Sequence, residues 1–332
     1  MRVVTSGARY IDIDAYAGCV AYAELLQKLG QPAQAVGEAV LNESIPSIVR
    51  EWQTDFKTAY VPSGSDTFTL IDVSEPEYFE TFVDHDRIDE IIDHHPGLEQ
   101  YWHDRIGGRA AIEHVGAACT QVFERWEQAA VLGRMSETSA RLLMCGILDN
   151  TLNFGAEITT GRDENAYEAL GKIAGLPKDW PAKYFAACQA GIVYDLLQAV
   201  ERDVKTMCRL KTFPGPLAVG QLAVWEGSEL ALNSSDTFRR ALSADRPLWL
   251  MNLISIEDGR SYFVTEVPAV RAWLTNLLGV RFDGNVAVAD RMWLRKEILK
   301  VDIVVGGVQG RVGPPQAHQT RMIEPLHPFS LE

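Results

Sequence analysis

Aspartates and histidines of the kind that bind divalent cations occur at four places in the first half of the chain. They are Asp12 with Asp14, Asp72, the run Asp93-His94-His95, and the pair Asp149-Asn150. Carboxylates and imidazoles are the side chains that hold such ions. An Asp-x-Asp pair is more often a helix cap, and a single aspartate after a strand is more often a loop residue. Two adjacent histidines behind a buried strand are costly to desolvate unless a metal or a hydrogen bond engages them, so His94-His95 carries most of this prediction.

The segments around these residues alternate between strand-like and helix-like patterns. Apolar residues recur at helical spacing from Tyr16 to Leu26. Strands are predicted at 3–5, 33–36, 67–71 and 88–92. The last two strands run directly into Asp72 and Asp93, and the carboxyl ends of parallel strands are where open α/β sheets bind ligands. The pattern predicts an α/β fold with a doubly wound, mainly parallel N-terminal sheet.

The rest of the chain has a different pattern of predicted secondary structure. Helical patterns cover 115–126 and 140–144, then 181–190 and 193–207, while β-rich runs begin at Leu217. We predict two domains, with residues 1–190 carrying the metal site and residues 191–332 forming a smaller C-terminal domain with a mixed sheet. The tail from Gly306, which contains Pro314-Pro315, is predicted to be irregular coil.

Composition excludes several classes of protein. The chain has 332 residues and a net charge of −14, which does not favour duplex nucleic acid as a partner. Five scattered cysteines without a CxxC pair argue against a disulfide framework and a zinc knuckle, and no apolar run is long enough for a membrane helix. We therefore expect a cytoplasmic protein with no membrane partner. The absence of GxGxxG after the first strand and of GxxxxGK[ST] disfavours a Rossmann dehydrogenase and a nucleotide kinase.

Several motifs resemble those of the DHH superfamily of phosphoesterases, and particularly family II inorganic pyrophosphatases and related exopolyphosphatases. The string 92–96, Ile-Asp-His-His-Pro, resembles the signature that names the superfamily, and 12–26 resembles its first motif. Further similar segments are 36–44, 113–120, 146–154, 203–205 and 294–296. The resemblance spans nearly the whole chain and implies metal-dependent hydrolysis of a phosphoanhydride or phosphoester.

The resemblance also implies a role for each matched residue. Asp12, Asp14, Asp72 and His94 are expected to bind one or two divalent ions, Mn²⁺ first and Mg²⁺ or Co²⁺ as alternatives, with Asp149 or Asn150 completing the set. His95 and Asp93 are the expected catalytic residues, since His95 would contact the phosphate or protonate the leaving group. Lys205, Arg295 and Lys296 are expected to bind a small phosphorylated substrate. A homodimer is implied by analogy.

Two positions depart from the family pattern. Ala8 stands where the family has a histidine ligand, and Asn150 stands where it has an aspartate, with Asp149 one residue earlier. Three outcomes remain open: one ion is held well and the other loosely; Arg9 places a fixed positive charge where an ion would sit; or catalysis is lost. The alternatives to a hydrolase of small phosphates are therefore a binding or regulatory protein and a DHH-type oligonucleotide phosphodiesterase. The latter predicts a GGGH-type loop, which the string 305–308 lacks.

Overall fold

The computed structural model describes residues 1–208, 210–243 and 247–309. The chain divides into two compact units, the first running from Met1 to Gly191 and the second beginning at Ile192. Within the described residues, no helix combines the length and the apolar character needed to cross a bilayer. All five cysteines are free thiols.

The first unit is built on a five-stranded sheet in which every neighbouring pair of strands is parallel. The spatial order is β2-β1-β3-β4-β5, with β1 (Arg2–Thr5), β2 (Ala33–Ala35), β3 (Thr67–Ile71), β4 (Ile88–Asp93) and β5 (Ala110–Ile112). Its helices are α1 (Ile13–Lys28), α2 (Ser47–Arg50), α3 (Glu99–Ile106), α4 (Ala118–Gln128), α5 (Glu137–Asn150), α6 (Gly161–Ala174) and α7 (Trp180–Tyr194). The chain steps from β1 to β2 on one side and to β3 on the other, so the strand order reverses beside β1, where α/β sheets form binding crevices.

Helix α1 is buried against the sheet because it is apolar on nearly every side. Its buried residues include Ile13, Cys19 and Leu25. Gly18 allows a close approach, since a Cβ added there would lie 2.5 Å from Cγ2 of Ile71, the last residue of β3. Helix α1 ends at Lys28, just before the Gly-Gln-Pro sequence that was predicted to terminate it, and Gly30 has a φ of 79°.

The second unit contains a mixed six-stranded sheet of order β10-β11-β9-β8-β7-β6. The strands are β6 (Lys205–Met207), β7 (Leu217–Val224), β8 (Trp249–Ser255), β9 (Arg260–Val264), β10 (Phe282–Asp283) and β11 (Val286–Ala289). Strands β7 and β8 are parallel and the other pairs are antiparallel. The helices are α8 (Leu196–Asp203), α9 (Ser228–Asn233), α10 (Ser235–Ser243), α11 (Pro268–Leu278) and α12 (Arg295–Gln309). The predicted fold class, a parallel-sheet α/β domain followed by a mixed-sheet domain, is confirmed.

Two local predictions in this unit were wrong. The helical pattern over 193–207 breaks into the end of α7, the separate helix α8 and the strand β6, because Asp195 caps α8 and β6 pairs with β7. Ladder hydrogen bonds from a distant strand override the local helical spacing at Lys205–Met207. The coil predicted from Gly306 is helical as far as Gln309, since each of the two glycines there costs a helix only about 1 kcal/mol relative to alanine. The remainder of that tail lies outside the described residues.

Candidate metal centre

Asp72 follows β3 in a strained backbone conformation. Its φ is +60°, a value that non-glycine residues adopt rarely, and its N–H donates to the carbonyl of Ile92 at 2.8 Å. Its carboxylate oxygen Oδ1 is buried and accepts no hydrogen bond from the described residues. Burial, together with the charges of Asp12 and Asp14, holds the pKa of Asp72 well above its usual value. Backbone strain and an unsatisfied buried charge at one residue are typical of a functional site.

His94 presents a ring nitrogen to that same oxygen. Its Nδ1 lies 3.1 Å from the carbonyl oxygen of Val115, so Nδ1 is the donor in this contact, and in the neutral ring Nε2 keeps a lone pair. Nε2 lies 3.2 Å from Asp72 Oδ1. Two ligands about 2.1 Å from one cation and at right angles to each other are about 3 Å apart, so this pair has the spacing of adjacent metal ligands. A backbone carbonyl that fixes the other ring nitrogen is the usual support of a metal-binding histidine.

Asp93, the last residue of β4, fixes the two histidines that follow it. Its Oδ1 accepts the backbone N–H groups of His94 at 2.7 Å and His95 at 3.2 Å, and it lies 2.9 Å from His95 Nδ1. Desolvation would lower the pKa of His95, but the hydrogen bond to Asp93 and the charge of Asp72 outweigh it and raise the pKa to about 8. The side chain of His95 is 54% exposed, so Asp93 holds an imidazole that faces solvent.

Within the part of the chain that the structure describes, Asp72, His94 and His95 are the residues brought together as a set of potential metal ligands. One ligand atom from each lies within 4.8 Å of the others. Their chemistry, one carboxylate and two imidazoles, suits Mn²⁺ or a similar divalent cation.

Asp14 lies close to this set, but hydrogen bonds engage its carboxylate. The backbone N–H groups of Ala118 and Cys119, in the first turn of α4, donate to its two oxygens at 2.7 and 2.8 Å. The helix N-terminus thus stabilises the negative charge of a fully buried residue. The distance from Asp14 Oδ2 to His94 Nε2 is 3.9 Å. Asp12 is the N-cap of α1 and accepts from Ala15 N at 3.0 Å, and burial raises its pKa.

The structure separates the two candidates at the end of α5. Asn150 faces the centre, and its Nδ2 donates to Asp14 Oδ2 at 2.5 Å. Asp149 faces Tyr184, whose hydroxyl lies 3.1 Å from its Oδ1 and 2.8 Å from the carbonyl oxygen of Ser44. Burial, with the charge of Asp12, raises the pKa of Asp149 to about 7. Tyr184 and Ser44 were not identified from the sequence, which gives no signal that they would meet.

The expected anion-binding residues occupy different environments. Arg9 is exposed, with its guanidinium carbon 4.2 Å above the ring of Tyr78. Arg295 is mostly buried in the second unit, where its Nη1 donates to Asp203 Oδ2 at 2.9 Å and to the carbonyl oxygen of Val219 at 2.8 Å. Lys205 on β6 and Lys296 on α12 are exposed. Their binding of phosphate stays a prediction.

The fold and this arrangement of side chains define an α/β protein with a candidate metal centre where β3 and β4 of its parallel sheet end. No family model matches the chain. It is 26% identical over 167 residues to a probable manganese-dependent inorganic pyrophosphatase of Lactobacillus acidophilus, covering 50% of this chain and 52% of the relative. It is also 26% identical over 180 residues to the probable manganese-dependent inorganic pyrophosphatase of Bacillus licheniformis, covering 54% of this chain and 57% of the relative.

The matches to these curated relatives extend over about half of their length. A solved structure shows that the likeness of fold extends further along the chain. The putative family II inorganic pyrophosphatase of Methanococcus jannaschii superposes with a TM-score of 0.62 at 18% identity, covering 91% of this chain and 100% of that one. The predicted resemblance to family II pyrophosphatases is therefore confirmed.

Proposed function

We propose that this protein is a metal-dependent hydrolase of a phosphoanhydride or phosphoester, with pyrophosphate, short polyphosphate or a small phosphorylated metabolite as its substrate. The observation that carries the proposal is the 3.2 Å separation between Asp72 Oδ1 and His94 Nε2. With the His94 ring neutral and Asp72 ionised, both atoms are acceptors, and a cation between them satisfies both. The curated relatives support Mn²⁺ as that cation, since their names describe manganese-dependent enzymes.

The residues present fit such an ion, and each has a definable role. When bound, the ion lowers the pKa of a water molecule and neutralises phosphate oxygens. Asp72 and His94 would hold it, and the carbonyl group of Val115 orients the His94 ring. Asp93 fixes the ring of His95 at Nδ1, which leaves Nε2 to contact the phosphate or to protonate the leaving oxygen.

The cationic residues supply a proposed substrate-binding set. Arg9 lies on the loop that connects β1 and α1, three residues before Asp12, and its guanidinium stacks on the ring of Tyr78. An arginine presents a planar fork of donors to phosphate oxygens, whereas Lys205 and Lys296 act as point charges. Arg295 already shares its Nη1 with Asp203, so its contribution is to carry charge and fix the start of α12.

A second candidate function rests on Asn150. Its amide donates to Asp14, which in the proposed family role would bind a metal, so a binding protein without hydrolytic activity is the alternative. The experiment incubates the Mn²⁺-loaded protein with pyrophosphate and tripolyphosphate, measuring the release of orthophosphate, and with a short oligonucleotide, measuring the release of mononucleotides. We expect release from the first or second. No release from any of the three, with retained Mn²⁺ binding, would favour the binding protein, and release from the oligonucleotide alone would favour a phosphodiesterase.

A further inference from the structure

The amide group of Asn150 occupies one side of the Asp14 carboxylate. Its Nδ2 lies 2.5 Å from Asp14 Oδ2 and comes from the last residue of α5. An amide nitrogen is a hydrogen-bond donor and offers no lone pair to a cation, because that lone pair is delocalised into the carbonyl group. On this side, Asp14 therefore meets a neutral hydrogen-bond donor.

Two backbone N–H groups also donate to the Asp14 carboxylate. Ala118 N donates to Oδ2 and Cys119 N donates to Oδ1. Three donors thus satisfy a carboxylate that is 0% exposed. A buried charge satisfied in this way does not require a cation.

Packing holds α5 against Asp14. Gly146, one turn before Asn150, lies so close that an added Cβ would meet Cys119 Sγ at 2.5 Å and Asp14 Oδ1 at 3.1 Å. The Asn150 side chain is therefore positioned by a helix that packs directly on Asp14. Residue 8, on the loop between β1 and α1, is an alanine, whose side chain has no donor atom for a metal.

We infer that the centre is built for a single divalent ion, bound by Asp72 and His94, and that the Asn150 amide takes the place of a second ion beside Asp14. The inference rests on the metal role given under the proposed function and specifies its stoichiometry. In this inference, Ala8 and Asn150 are the two residues that distinguish the centre from one that binds two ions.

The first test is Mn²⁺ stoichiometry, measured by equilibrium dialysis of the metal-stripped full chain. We expect one Mn²⁺ per chain for the wild type and two for the double variant Ala8→His/Asn150→Asp. The matched control is Asn153→Asp, which adds the same charge three residues further on and is expected to leave one ion. Two ions of similar affinity in the wild type, or a single ion in the double variant, would overturn the inference.

The second test is thermal unfolding without metal. Asn150→Asp replaces the donor by a second carboxylate beside Asp14, so like charges repel, and we expect a melting temperature several degrees below that of the wild type and of Asn153→Asp. Saturating Mn²⁺ is expected to restore it, because the ion now has two carboxylates to bridge. An unchanged melting temperature in the metal-free variant would show that Asn150 does not contact Asp14 as inferred.

A variant without added charge guards against misfolding of Asn150→Asp. Asn150→Ala removes the donor and is expected to keep one Mn²⁺ per chain, with a lower melting temperature because Asp14 loses a partner. Uptake of a second ion by Asn150→Ala would overturn the claim that residue 150 must be a carboxylate for that ion to bind. All these measurements use Mn²⁺ alone, so they are independent of phosphate release and fail separately from the proposed hydrolase function.

Discussion

At the scale of single residues, Asp72 combines a φ of +60° with a carboxylate oxygen that accepts no hydrogen bond from the described residues. Such a residue stabilises the fold less than an ordinary loop residue with a satisfied side chain would. The ring of His94, in contrast, has a hydrogen-bond partner, since Val115 fixes it at Nδ1 while Nε2 faces Asp72. The two residues are thus arranged for a ligand that both can bind.

Asp72→Asn tests that arrangement with little disturbance of the backbone. Asparagine tolerates positive φ well, so the substitution removes charge and keeps the turn. We expect Mn²⁺ affinity to fall by more than about 100-fold, because even residues that support a ligand cost 10- to 100-fold, with phosphate release falling in parallel. The melting temperature without metal should not decrease, since a buried unsatisfied charge is removed.

Calorimetric titration with Mn²⁺ and a thermal melt check both expectations. The control is Asp86→Asn, the same change at an exposed carboxylate of the same unit. Unfolding of metal-free Asp72→Asn at a lower temperature than the control would assign Asp72 to structural support of the loop.

At the scale of elements, the centre depends on how closely α1 lies on β3. Gly18 in α1 approaches Ile71, and Ile71 directly precedes Asp72. The start of α4 fixes Asp14 in the same region through two backbone N–H groups. A shift of α1 or α4 would therefore displace the proposed metal ligands, because direct contacts connect these helices to them.

Gly18→Ala is expected to destabilise the protein and to weaken metal binding together. The new Cβ would lie 2.5 Å from Ile71 Cγ2, so α1 must shift, at a cost of about 1–3 kcal/mol. The matched control is Gly171→Ala in α6, where the added Cβ meets only Met144 Cε at 3.9 Å, and where we expect a gain of about 0.5–1 kcal/mol from helix propensity. Chemical denaturation measures both variants, and equal effects would refute the close-packing account.

At the scale of the whole molecule, a net charge of −14 makes stability sensitive to pH. Asp66 is one group whose contribution can be isolated. Its carboxylate accepts from Tyr60 OH at 2.5 Å and from the N-terminal amine at 3.0 Å, and these hydrogen bonds join the start of the chain to β3. The hydrogen bond from Tyr60 is the main cause that lowers the pKa of Asp66, with burial opposing it.

A lowered folded-state pKa means that the ionised form stabilises the native state. The contribution of Asp66 is therefore complete above its unfolded pKa of 3.8 and is lost as pH falls through the lower folded pKa. We expect Asp66→Asn to be about 1–3 kcal/mol less stable than the wild type at pH 7, with the difference narrowing below pH 3.8. Urea denaturation across pH tests this, with Asp104→Asn, an exposed aspartate that accepts from Gln100, as the control. A difference that does not change with pH would contradict the assignment.

The sequence alone determined the parallel sheet and the convergence of Asp72 and His94. Alternating strands and helices require strands to end at one edge, and Asp72 and His94 each follow a strand directly. Strands β3 and β4 pair side by side in parallel. The local sequence that specifies each strand therefore also specifies the edge of the sheet at which the residue after that strand lies.

Only the tertiary structure decided which groups face which. Asn150 and Asp14 are 136 residues apart in the chain, and their contact depends on α5 packing against α1, the helix that carries Asp14. Likewise, Arg295 lies 92 residues from Asp203, and Lys205 belongs to a strand because β7 is available to pair with it. Residue type and local spacing set which hydrogen bonds and ion contacts a side chain is able to make, whereas the partner it meets is fixed by packing between distant segments.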